Sequence, residues 1–241
     1  MQHIWSKADI HIHTTYSDGM ASVRAMLDQA AQLGDLRVIA ITDHDNMRGA
    51  IVMGCEVSSA EGHILALFIE HPITPGMSVD ATIAAIHAQD GLAIAAHPYA
   101  SFVQSVGRRM QRLDAWSAPA WRFDAIEVFN ASLWHQADNE RAAHVAHQLG
   151  LPTCGGSDAH SLATLGCGYT CFAGRSAADL RQALLTGQTR PGGQPWGWGK
   201  FGHVAAAFLR RDLDRILGPP IPSRRPVRTD TPCPHPVQTP C

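Results

Sequence analysis

Short apolar runs alternate with amphipathic stretches over most of residues 7–187. Residues 7–13 predict a first strand, with Ile10 and Ile12 on one face and His11 and His13 on the other, since successive side chains of a strand point to opposite sides. Ser22 predicts the cap of a helix to about residue 33, with Val23, Met26, Leu27 and Ala30 on its buried side. Residues 38–41 are continuously apolar, as in a strand covered on both faces. Further strands are expected near 52–57, 63–68, 92–98, 125–130 and 169–172, with a strand and turn over 153–160. Helices are expected near 78–89 and 134–149. A last one runs from Ser176 to about Gly187, opened by a capping-box-like Ser-Ala-Ala-Asp. Residues 99–120 read as a long loop that includes Arg108, Arg109 and Arg112.

This alternation predicts an α/β fold with a mainly parallel sheet and helices outside, either a barrel or an open doubly wound sheet. No glycine-rich phosphate loop follows the first strand, which weighs against nucleotide-cofactor folds. Beyond residue 188 the pattern is ambiguous. Trp196-Gly197-Trp198-Gly199 reads as a loop and 204–217 as an amphipathic helix. The last residues are rich in Pro, Arg and Thr, as in a disordered tail. The expected organisation is one α/β unit over 1–190, a loop and helix over 191–218 packing on it or on a partner, and a tail over 219–241.

A length of 241 residues suits one large domain. The net charge of −2 argues against a general nucleic-acid-binding surface. There is no signal-peptide pattern and no apolar run of transmembrane length, so no membrane partner is expected. Cys55, Cys154, Cys167, Cys171, Cys233 and Cys241 form no Cys-x-x-Cys pair. Scattered thiols suggest the reducing cytoplasm rather than a zinc ribbon.

The 14 histidines change the picture most, because of where they fall. His11 and His13 aim at one spot, with Asp18 just beyond. Alone, such a pair is compatible with ordinary polar packing as well as with a metal site. His44, Glu56, His97, Asp158 and His160 follow at or near predicted strand ends, and His63 at a strand start. In a barrel the strand C-termini surround one pocket. Nine such donors exceed the three or four protein ligands of a single metal. They suit two or three divalent ions sharing a carboxylate, and burying them without metal would be costly. Mixed imidazole and carboxylate donors accept Zn²⁺, Mn²⁺ or Fe²⁺. His87, His144 and His147, within predicted helices, read as ordinary polar positions, whereas His135 follows the strand end at Asn130 and could reach the pocket rim.

The ordered motifs His-x-His with Ser-Asp-Gly, Ile-Thr-Asp-His-Asp, Gly-Cys-Glu, His-Ile-Leu, Ala-His-Pro and Gly-Ser-Asp-Ala-His resemble the polymerase and histidinol phosphatase (PHP) family over about residues 8–187. The resemblance implies a distorted (β/α)7 barrel with a trinuclear metal centre at the strand C-terminal ends. It implies one metal on His11, His13, Glu56 and Asp158, a second on Glu56, His63 and His97, and a third on Asp18, His44 and His160. It also implies a metal-dependent phosphoesterase in which a hydroxide between two metals attacks phosphorus, with Asp158 and His160 catalytic. The expected substrate is a small phosphorylated compound, a phosphomonoester, nucleotide or nucleic-acid end. Arg108 and Arg109 are candidates to grip its phosphate and Asn130 to hydrogen-bond it, while Asp45 is a candidate partner for His44.

One departure stands out. Relatives acting on nucleotides and RNA ends often carry an inserted domain between the His-Ile-Leu and Ala-His-Pro motifs, where this chain has one helix. Two other classes are weighed. An amidohydrolase-like enzyme would use a metal-bridging lysine, and Lys7 and Lys200 are poorly placed for that role. A non-catalytic, metal-stabilised module would not need the complete donor set.

Overall fold

A computed structural model of the chain describes residues 4–49, 52–101, 103–109, 122–133 and 136–217. The fold is mixed α/β. Strands β1 (Trp5–Asp9), β2 (Leu36–Ile39), β8 (Gly168–Ala173) and β9 (Thr189–Gly193) form one sheet in the order β2-β1-β8-β9. Strands β3 (Gly54–Ser58), β4 (His63–Leu67), β5 (Leu92–Ala95), β6 (Ala125–Asn130) and β7 (Thr153–Gly156) form a second sheet in sequence order. Among the described residues the helices are α1 (Val23–Leu33), α2 (Val79–His87), α3 (Val106–Arg109), α4 (Gln136–Leu149), α5 (Ala177–Leu185) and α6 (Gly197–Leu217). None of those described is long and apolar enough to cross a membrane. The expected tail lies outside the described residues. Residues up to Ala205 form one compact unit and those from Ala206 another.

Local chemistry accounts for the helix starts. The Ser22 and Ser78 hydroxyls accept hydrogen bonds from the Ala25 and Ala81 amides, satisfying donors that a helix N-terminus leaves open. At α5 the Ser176 hydroxyl and the Asp179 carboxylate cap each other's backbone, as the sequence motif predicts. Leu27, expected inward on α1, is 38% exposed; Met26 and Ala30 carry that helix's burial.

The sheets are less parallel than the alternation predicts. β1–β2, β5–β6 and β6–β7 are parallel, whereas β1–β8, β3–β4, β4–β5 and β8–β9 are antiparallel. The β3–β4 link is too short for a crossover helix, which forces an antiparallel pair. β9 is a strand that the pattern did not predict. Its Thr-Arg-Pro-Gly-Gly sequence has no apolar alternation, and Pro191 is tolerated because β9 is an edge strand. The helix expected over 204–217 begins earlier, at Gly197, so that most of the predicted Trp-Gly-Trp-Gly loop is its first turn.

The sheets do not close into one. Single bridges join them, Ile12 to Ala159 on one side and His44 to Glu56 on the other. β1 ends at Asp9 rather than running to residue 13, because its continuation divides its hydrogen bonds between two neighbours. The Ile12 carbonyl accepts from the Thr42 amide, while the His13 amide donates to the Ala159 carbonyl. Ile10 and Ile12 are fully buried in separate apolar clusters, so the segment between the sheets is anchored by its isoleucines and presents its histidines.

Candidate metal centre

All nine candidate ligands converge. His11 and His13 lie on the extension of β1, His44 follows β2, Glu56 is within β3, His97 follows β5, and Asp158 and His160 follow β7. His63 opens β4, yet it reaches the same place because β4 runs antiparallel to β3 and pairs it with Ser58. Asp18 arrives on a turn held by Asp43. That carboxylate accepts from the Thr14 amide at 2.7 Å and from the Thr14 and Ser17 hydroxyls at 2.6 Å.

Glu56 is the hub. Its Oε1 lies 3.0 Å from His63 Nδ1 and 3.0 Å from His97 Nε2. Its Oε2 lies 3.3 Å from Nε2 of both His11 and His13 and 3.2 Å from His44 Nδ1. Asp158 Oδ1 faces His13 Nε2 at 3.2 Å and His11 Nε2 at 3.6 Å. Asp18 Oδ2 is 3.2 Å from His160 Nε2 and 3.7 Å from His44 Nε2. Among the described residues, four groupings have mutually close donor atoms: His13, Asp18, His44 and His160; His11, His13 and Glu56; His11, His97 and Asp158; and His44, Glu56 and His63.

Several of these atoms are near one another without being hydrogen-bonded. His11 Nε2, both nitrogens of His13 and His63 Nδ1 are buried with no aligned partner. Buried polar atoms are rarely left so. Metal–ligand bonds of about 2.0–2.2 Å at ordinary coordination angles set neighbouring donors about 3.0–3.5 Å apart. The observed spacings match that arrangement, so the residues fit divalent metal ions.

The electrostatics agree. Burial opposes charge on His11, but Asp158, Glu127 and Glu56 outweigh it and hold the imidazole well above its ordinary value. Burial likewise opposes the Asp158 and Glu56 contacts that push His13 up to about 10. Glu56 and Asp158 are held well below the carboxylate range by the surrounding imidazoles despite burial. His44 is lowered, burial outweighing its carboxylates. Without cations the cluster must hold protons between its bases and acids, and bound metal ions would take the place of those protons.

Three residues here adopt the left-handed backbone region disfavoured for side chains: Asp45 (φ 52°), His97 (φ 26°) and Asp158 (φ 51°). Such conformations concentrate at functional sites. Asp45 pins β3 beneath Glu56, its Oδ1 accepting from the Ser58 amide at 2.7 Å and its own amide donating to the Glu56 carbonyl at 2.9 Å.

A model of the PHP domain matches residues 9–151. The chain belongs to the PHP family. A PHP-associated region matches residues 136–189. An uncharacterised protein of Methanocaldococcus jannaschii is 37% identical over 149 residues, 52% of this chain and 82% of that protein. Two of the solved structures that share the fold are the following. One, from Bacteroides vulgatus, is a two-domain protein containing a predicted PHP-like metal-dependent phosphoesterase. It has TM-score 0.65 at 18% identity over 80% of this chain and 66% of that one. The other is the lesion-specific Endonuclease Q of Pyrococcus furiosus, with TM-score 0.60 at 17% identity over 78% of this chain and 58% of that one. This chain thus spans just under two thirds of the first of these structures and less than three fifths of the second.

Around the PHP centre lies a layer that the strand-end pattern did not reveal. Glu127, in the middle of β6 and fully buried, accepts from His11 Nδ1 at 3.0 Å, from the His97 amide at 2.8 Å and from Asn130 Nδ2 at 3.1 Å. This bond directs the His11 Nε2 lone pair into the centre. A glutamate inside an apolar strand is itself an unusual residue and was the available signal. Gly156 makes room for the pair: a Cβ there would meet His11 Cβ at 2.6 Å and Glu127 Oε1 at 2.7 Å. His160 Nδ1 donates to the Asp158 carbonyl at 2.9 Å, leaving Nε2 toward Asp18.

Asn130 does not present its amide to an incoming substrate. It is fully buried, and its Nδ2 donates to Glu127 and to Asp158 Oδ2 at 3.3 Å, while its Oδ1 accepts from the Ser132 amide and hydroxyl. The Ser132 hydroxyl also lies 2.8 Å from Asp158 Oδ2. Arg108 and Arg109 fall on α3, but their side chains lie outside the described residues, as does Arg112 entirely. So does His135. Neither lysine enters the centre: Lys7 pairs with Asp35 at 2.6 Å and Lys200 contacts Cys167 at 3.0 Å.

Proposed function

We propose that the chain is a metal-dependent phosphoesterase that hydrolyses a phosphomonoester or a nucleotide-type phosphate ester. The observation that carries this reading is Glu56, a buried carboxylate whose two oxygens face five imidazole nitrogens. A carboxylate split in this way can bridge two cations. Two or three bound ions, of Mn, Zn or Fe, would supply a deprotonated water near neutral pH and neutralise phosphoryl charge. His11, His13, Glu56 and Asp158 would hold one, Glu56, His63 and His97 a second, and Asp18, His44 and His160 a third. Glu127 keeps His11 in the tautomer that offers Nε2. Ser132 and Asn130 fix Asp158 Oδ2, so that Oδ1 is positioned to orient the attacking water. His160, at the edge of the centre, is positioned to stabilise a phosphate oxygen or the leaving group.

We read the two sheets, with their bridged seams, as one distorted (β/α)7 barrel whose ligands gather at one end. The structural likeness to Endonuclease Q, which one structure captures with a 27-mer duplex bearing an abasic lesion at the active site, supports keeping nucleic acid among the candidate substrates. The unpaired thiols of Cys55, Cys154, Cys167 and Cys171 support a cytoplasmic location.

The test is hydrolysis of an aryl phosphate with added Mn²⁺ by the wild-type chain, the His11→Ala variant and the Asp158→Ala variant. Metal-dependent release of phosphate that both substitutions abolish is the expected result. A wild-type protein with full metal content that cleaves no phosphate ester overturns the reading.

A further inference from the structure

Asp9, the last residue of β1, is fully buried and is in none of the four ligand groupings. Its Oδ1 accepts from the Ser157 amide at 3.0 Å and, more loosely, from the His11 amide at 3.4 Å. Its Oδ2 accepts from the Gly166 amide at 2.9 Å. One carboxylate therefore holds both ends of the segment 157–166, which carries Asp158 and His160. The segment leaves β7 beside Asp9 and returns to it at Gly166, whose φ of 72° is the left-handed conformation that glycine adopts readily. Amide hydrogens on a buried carboxylate make strong, charge-assisted bonds, and removing the carboxylate would leave those amides unsatisfied.

What lies between the two anchors gives the hold its consequence. The left-handed backbone of Asp158, at φ 51°, persists only where its surroundings fix it. On its C-terminal side, the Ala159 amide donates to the His11 carbonyl at 3.2 Å and the Ala159 carbonyl accepts from the His13 amide at 2.9 Å. On its N-terminal side, Asp9 holds the Ser157 amide, and the Trp196 indole N–H donates to the Ser157 carbonyl at 2.9 Å. The bond to Gly166 then brings the far end of the segment back to the same carboxylate, with His160 in between.

We propose that Asp9 is a positioning residue that sets Asp158 and His160 in place before any ion binds, so that ligands of two different groupings depend on one buried carboxylate that touches neither ion. This rests on the metal-centre part of the proposed function and on no particular substrate. Asp9→Asn keeps the shape of the side chain, but its Nδ2 turns hydrogens toward an amide that also donates, that of Ser157 or that of Gly166.

Two measurements on the full chain test this, and neither uses a substrate. In the first, amide exchange is followed by NMR with and without Zn²⁺. The Ser157 and Gly166 amides of the wild type stay protected in chelator, because Asp9 and not an ion holds them, and they exchange about 10–100-fold faster in Asp9→Asn. Rapid exchange of both in the metal-free wild type overturns the proposal, whether or not the variant folds. In the second, the ring signals of His160 and His63 are followed as Zn²⁺ is added to Asp9→Asn. His160 reaches its bound position only at about 10–100-fold higher free Zn²⁺ than in the wild type. His63, whose grouping with His44 and Glu56 uses no residue of the segment, responds as in the wild type. Equal weakening at both rings is what a general loosening of the fold would give and overturns the proposal, as does an unchanged response at His160. Wild-type rings that do not respond to Zn²⁺ overturn the metal centre itself, and the amide protection then decides by itself whether Asp9 anchors the segment.

Discussion

Two buried glutamates in one sheet, Glu56 on β3 and Glu127 on β6, have opposite roles. Both are almost inaccessible to water. Glu127 is surrounded by hydrogens: the His97 amide, the Asn130 side-chain amide and one ring nitrogen of His11 all point at it within hydrogen-bonding distance. Glu56 is surrounded mainly by ring nitrogens, of which those of His11, His13 and His63 are not aligned to donate. The first arrangement is complete in itself. The second requires positive charge between its members. Burial therefore does not distinguish a candidate metal ligand from a scaffold residue; the direction of the hydrogens does.

The sharpest way to break this comparison is to neutralise each glutamate in turn. Glu56→Gln removes the carboxylate shared among the imidazoles and offers an amide where a bridging oxygen is required. Metal content measured by elemental analysis drops, and hydrolysis falls by roughly 10²–10³ or more. Metal content equal to that of the wild type would remove Glu56 from the hub. Chelation acts on the same group without altering the chain. If the ions are held at a hundred times their dissociation constant, they add about 2.7 kcal/mol of stability. Scanning calorimetry should then show Tm falling by about 5–10 °C in chelator and recovering when Mn²⁺ is restored.

Glu127→Gln should act differently. The amide can still meet one neighbour but cannot accept from His11 and His97 together as a carboxylate does. Metal affinity weakens about 10–100-fold, the range for groups that orient a ligand. Saturating metal restores most of kcat. A loss of kcat that excess metal cannot recover would place Glu127 among the groups acting directly on substrate.

The difference between the two glutamates also marks what the sequence discloses. The nine clustered residues were legible because most are ionisable residues where apolar strands stop. His63 obeyed the same logic once the short β3–β4 link is seen to turn β4 around. Glu127 was not, because it is flanked by Ile126 and Val128 inside a strand, and a search at strand ends passes over it. Asn130 was found for its position at the end of β6, but position does not reveal that Asn139, Ser132, Glu127 and Asp158 already use its hydrogen bonds. For the fold, continuous apolar strands and capped helices were readable. Pairing direction was not, since it depends on partners far along the chain, and β9 lacks any apolar pattern of its own.

Gly156→Ala probes how closely the two layers are fitted. The new methyl group would press on His11 Cβ and Glu127 Oε1 at once. His11 must then turn away from the centre, and we expect weaker metal binding together with a lower Tm. Weaker binding with an unchanged Tm would mean that the backbone gives way and only the ligand moves.

The smallest effect is expected at an acid that belongs to neither layer. Asp179 is exposed at the start of α5, where it accepts from the Arg175 amide at 2.9 Å and from the Ser176 amide and hydroxyl at 3.0 and 2.8 Å. These donors hold its carboxyl below the ordinary 3.8. A depressed pKa means that the folded state favours the ionised form. The resulting stability is therefore present above pH 3.8 and is lost as the pH falls through the folded value. Asp179→Asn should lower Tm by only about 2–4 °C at neutral pH, the usual effect of a lost helix cap, and leave metal content unchanged. As the pH falls through the folded value, below 3.8, the gap between variant and wild type should close, because both side chains are then uncharged. A gap that persists in acid would mean that the amide disrupts the cap by its shape, and that charge is not what Asp179 contributes.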